Sequence, residues 1–71
     1  MKKELTVLYR LLVRSLKEMG LVEDSTVAIA LMLRTEPQIL TMLDWIIKHH
    51  QEKPSEDRVL RIAKRISEEI K

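Results

Sequence analysis

Apolar side chains recur three or four residues apart along most of this chain, a spacing that places them on one face of a helix. Leu5, Leu8, Tyr9, Leu12, Leu16 and Met19 form such a face over about residues 3–19. Gly20 follows the last of them, where a glycine can take the left-handed conformation that closes a helix and lets Leu21 fold back on the stripe.

A second helix is expected over about 25–34, with Asp24 or Ser25 as its cap. From Val27 to Leu33 every residue is apolar, so its side chains point in all directions, and the pattern predicts a helix enclosed by neighbours in the middle of the fold. A buried strand is the rival for such a run, but it would have no companion strand to pair with.

The third helix, about 36–50, has the clearest start. Thr35 and Gln38 form a capping-box pair, with Pro37 in the first turn. Ile39, Leu40, Met42, Leu43, Ile46 and Ile47 cover a broad apolar arc, and fraying is expected between His49 and Lys53. Ser55 caps a fourth helix, about 55–70, ahead of the acidic first-turn residues Glu56 and Asp57. Its stripe is Val59, Ile62, Ala63, Ile66 and Ile70, and on its outer side Asp57 with Arg61, Lys64 with Glu68 and Arg65 with Glu69 stand four apart.

These elements predict one all-α domain over residues 1–71, a compact four-helix bundle with a helix-turn-helix-like hairpin in the middle. Composition agrees, because one glycine and two prolines leave little punctuation for a sheet. With 71 residues and no cysteine, the chain lacks the disulfides and zinc thiolates that staple small domains, so helix packing and self-association must hold it together. The longest apolar run is far below the roughly 18 residues of a membrane span. Arg10, Arg14 and Lys17 interrupt the stretch a signal peptide would need, and a cytoplasmic protein is expected.

Catalytic chemistry is not expected, since no nucleophile with a base, paired carboxylates in an apolar pocket or glycine-rich phosphate loop can be found. An enzymatic site would have to be shared between subunits. His49 and His50 are adjacent rather than four apart, the spacing a helical metal pair uses, so neither a metal nor any other cofactor is expected. No small-molecule substrate is indicated.

What remains is a surface for a macromolecule. Trp45 falls among polar neighbours, and Leu11, Leu40 and Leu60 lie outside the main stripes, which points to a protein interface and to a homodimer or a docked partner. The alternative is a small DNA-binding regulator. One candidate is the hairpin at about 24–49, which has helix-turn-helix lengths and presents Gln38, Thr41 and Lys48, but also the acidic Glu36 and Asp44 and no turn glycine. The other is a basic face on the first helix formed by Lys3, Arg10, Arg14 and Lys17, which Arg58 and Arg65 could extend. With a net charge of only +2, DNA binding must rest on such clustering, and 3% aromatic residues disfavours binding by base stacking.

Overall fold

The computed structural model describes residues 3–70, with side chains from Leu5 onward. Among these residues the chain forms α1 (Lys3–Glu18), α2 (Glu23–Met32), α3 (Glu36–His49), a short 3-10 turn (His50–Glu52) and α4 (Glu56–Glu69). The all-α architecture predicted by the apolar spacing is therefore the one observed.

The helices form a square. α1 packs on α2 and α3, and α4 packs on the same two, while α2 and α3 face each other only across the diagonal. Tyr9 in the first half of α1 reaches Leu33, the cap residue just past the end of α2, so these neighbours are antiparallel; Met19 and Ile46 line one cleft, so α1 and α3 run the same way. The centre is filled by Leu12 and Leu16 from α1, Ile29 from α2, Ile39 and Met42 from α3, and Val59 and Ala63 from α4. The molecule measures 32 × 23 × 22 Å.

The loops show why the helices stop where they do. Gly20 has φ +92°, and the chain closes α1 with Gly20 N–H donating to Lys17 O and Leu21 N–H donating to Leu16 O. That pair of bonds is the Schellman arrangement, and it tucks Leu21 into the core. At α3 the capping box forms as expected, with Thr35 and Gln38 satisfying each other's backbone amides. Ser55 caps α4 by accepting from Arg58 N–H. Where fraying was expected after His49, the chain makes one 3-10 turn that ends at Lys53 in the left-handed region, φ 50°.

Three expectations are corrected. α2 starts two residues early, at Glu23, and neither Asp24 nor Ser25 caps it: Val22 sits at the cap position with its N–H donating to the Glu56 carboxylate, 3.1 Å away. Nor is α2 enclosed. It buries Thr26 and Ile29 but leaves Val27 half exposed and Leu31 71% exposed, because it has neighbours on two sides only. Finally, of the three ion pairs expected on α4, only Arg65 with Glu69 forms, at 3.7 Å. Asp57 with Arg61 and Lys64 with Glu68 stay apart among the described residues.

Candidate interaction surfaces

The residues singled out in the sequence separate in space into three groups. The first is the α3–α4 side, where Trp45 lies half-buried against the core. Its ring stacks on His49, with centroids 4.6 Å apart and planes 16° from parallel, and the Arg58 guanidinium sits 5.5 Å from its centre. His49 Nδ1 also bonds Trp45 O at 2.8 Å. Trp45 thus links α3 to α4 through Arg58 while remaining partly exposed. Arg58 is further held by Glu52 at 3.3 Å, so it does not extend the basic face of α1.

The hairpin residues proposed to read DNA are largely committed elsewhere. Gln38 is buried: its Oε1 accepts from Arg34 N–H and Thr35 N–H, at 2.7 and 3.0 Å, and its Nε2 donates to Ser67 O and Ile70 O at the end of α4. It cannot reach a base edge, which corrects its place among the candidate contacts. A glutamine three residues into a helix can complete a capping box from either side of the helix, and here that side is the inner one. Thr41 is exposed but donates its hydroxyl to Pro37 O, and Lys48 pairs with Asp44 at 3.0 Å. Because α2 and α3 do not pack on each other, the two helices also lack the mutual contact of a helix-turn-helix.

The second group is apolar and lies where α1 meets α3. Leu11 and Leu40 are each 46% exposed. By helical spacing Leu11 lies on the flank of α1 that borders α3, and Leu40 on the flank of α3 that borders α1. Val7 on α1 and Ile47 on α3 join them, the latter 69% exposed although it was expected in the core arc. Val7 was missed in the sequence because it follows the main stripe of α1 at a steep angle, yet its spacing of four from Leu11 was the signal. Leu60, the remaining interface candidate, is half-buried against the core on α4 and lies apart from this strip. At its far end the strip opens into a cleft of about 490 Å³ whose lining includes Met19, Ile46, Ile47, His50, Lys53 and Pro54.

The third group is the basic face of α1. Arg10, Arg14 and Lys17 are exposed in a row beside half-buried Tyr9 and Val13, and the row borders the apolar strip at Arg14, which is seven residues from Val7 and three from Leu11. Arg14 pairs with Glu18 at 3.5 Å; among the described residues Arg10 and Lys17 have no carboxylate within ion-pair distance. The Lys3 side chain lies outside the described residues.

Among the described residues, no three His, Asp or Glu side chains gather as a metal site, and no helix is long and apolar enough to cross a membrane. The arrangement defines a small all-α bundle with an apolar face and a basic ridge. Comparison with protein-family models, with curated proteins and with solved structures finds no match.

Proposed function

We propose that this chain is a non-enzymatic interaction module that pairs with a second copy of itself through the α1–α3 face. The observation that carries this is the strip of Val7, Leu11, Leu40 and Ile47, four large apolar side chains at least 46% exposed on adjoining flanks of two packed helices. Scattered surface leucines need no explanation, whereas a continuous row along a helix pair is unusual in a monomer.

Size argues for a second copy as the occupant. A face of this molecule, 32 × 23 Å, matches the roughly 800 Å² per partner that a standard interface covers. A chain of 71 residues with no disulfide also gains stability by association that its own core is too small to supply. A two-fold axis through the strip would set each copy's row against the other's, apolar on apolar, and leave the charged flanks in water. Absence of cysteine fits a reducing compartment such as the cytoplasm.

Sedimentation velocity from low to high micromolar concentration tests the proposal. The wild type should shift to a dimer, and Leu40→Glu should sediment as a monomer with an unchanged far-UV spectrum. A wild type that stays monomeric throughout would overturn it.

A further inference from the structure

We infer that the basic ridge of α1 is a second docking surface, built for an acidic amphipathic helix of a different protein. Arg10, Arg14 and Lys17 are spaced four and three residues apart, so they form one row about 10 Å long on a single flank of α1. The row repels itself: like charges four apart, as at Arg10 and Arg14, weaken a helix. Elsewhere three cations pair, Lys48 with Asp44, Arg58 with Glu52 and Arg65 with Glu69, while Arg34, Lys53, Arg61 and Lys64 stand unpaired among the described residues but form no comparable row on one helix face. Of the three cations in the row Arg14 pairs with Glu18, and among the described residues Arg10 and Lys17 have no ion-pair partner.

The surface beside the row is apolar. Tyr9 and Val13 line a shallow groove of about 520 Å³ together with the aliphatic stems of the three cations. The Tyr9 ring is fixed there because its hydroxyl donates to Leu33 O at 2.6 Å. On the neighbouring helix, Val27 and Leu31 stand on the outer face, both at least half exposed. A groove with a greasy floor and one cationic edge matches a helix that carries apolar residues on one face and carboxylates along its margin.

The same features disfavour a polyanion. Nucleic acid would use the cations but not the apolar floor. Arg14 borders the apolar strip, but the groove floor of Tyr9 and Val13 lies on the other flank of α1, and Leu40 and Ile47 of the self-association face sit on a different helix from every residue of this site. Either surface can therefore fail without the other.

The test uses the full chain and a dye-labelled synthetic helix with leucines along one face and glutamates along one margin. The wild type should bind this peptide, and binding should weaken with salt. Replacing the glutamates by glutamine should cost about tenfold, the combined size of a few exposed ion pairs. Arg10→Glu with Lys17→Glu should lose the glutamate peptide and gain a version carrying lysines instead, while Leu40→Glu should bind the glutamate peptide like wild type. The inference is overturned if neither peptide binds, if the glutamine peptide binds as well as the glutamate one, or if duplex DNA or phosphatidylserine vesicles bind the wild type more tightly than the peptide does.

Discussion

At Gln38 a single amide side chain joins three parts of the fold, since its oxygen takes two amides of the α2–α3 turn and its nitrogen closes two carbonyls at the end of α4. Removing it leaves these groups without partners in a place water reaches poorly, and an unsatisfied buried polar group costs about 1–3 kcal/mol. Gln38→Ala should therefore lower the free energy of unfolding by about 2–3 kcal/mol in urea titrations. Gln38→Glu adds a sign that can be checked. Its oxygen can still accept, but an ionised carboxylate would face the Ser67 and Ile70 carbonyls, so the folded state favours the protonated form and raises that carboxyl above its ordinary value of about 4.3. A group whose folded pKa is raised loses stability as pH climbs past its unfolded value. The deficit of Gln38→Glu relative to wild type should thus be larger at neutral pH than near pH 3.5; equal deficits at both would contradict the hydrogen-bond assignment. The two left-handed residues make a second matched pair. Gly20 has nothing within 4 Å of where a Cβ would stand, so Gly20→Ala should cost only the backbone strain, about 1 kcal/mol. Lys53 already bears that strain, and Lys53→Gly should relieve it for a net gain of about 0.5 kcal/mol after the added freedom of the unfolded chain is counted. Thermal melts should move in opposite directions for the two variants, by a few degrees each.

Among the elements, α1 and α4 were legible because their apolar residues are periodic and their polar ones fill the rest of the wheel. Val59, Ala63 and Ile66 are buried as the stripe of α4 requires, and so are Leu12 and Leu16 on α1. The start of α3 was legible for a different reason: a capping box is a local device whose partners are three residues apart. α2 was not. A run in which every position is apolar carries no information about which face turns inward, and hydrophobicity alone suggested enclosure. The inward direction is set by tertiary partners far along the chain, Tyr9 at the end of the helix and Glu56 at its start. The candidate site divides the same way. Leu11 and Leu40 could be picked out because they break their stripes, but nothing local says that α1 and α3 are parallel neighbours, which is what brings Val7 and Ile47 beside them. Two substitutions separate the inner from the outer face of α2. Ile29→Ala removes a fully buried side chain and should cost about 2–5 kcal/mol, whereas Leu31→Gln should stay within about 0.5 kcal/mol of wild type. Comparable losses at both positions in chemical denaturation would mean that α2 is enclosed after all.

For the whole molecule, association and folding are coupled through mass action. If the α1–α3 faces pair, only the folded chain binds its copy, and a tenfold rise in concentration above the dissociation constant stabilises the dimer by about 1.4 kcal/mol. Spread over the unfolding entropy of two 71-residue chains, that is a rise of about 4–5 °C in Tm per decade of concentration. A monomer has no such dependence. Leu11→Glu separates the effects further, because Leu11 is half exposed in the single chain and its replacement removes little from the core. The variant should melt close to the wild type measured at high dilution, and its Tm should not change with concentration. A Tm that is flat for the wild type would place the strip outside any self-contact. A Tm that climbs equally for both proteins would show that the copies meet through some other face, with the outer residues of α2, Val27 and Leu31, the next surface to substitute.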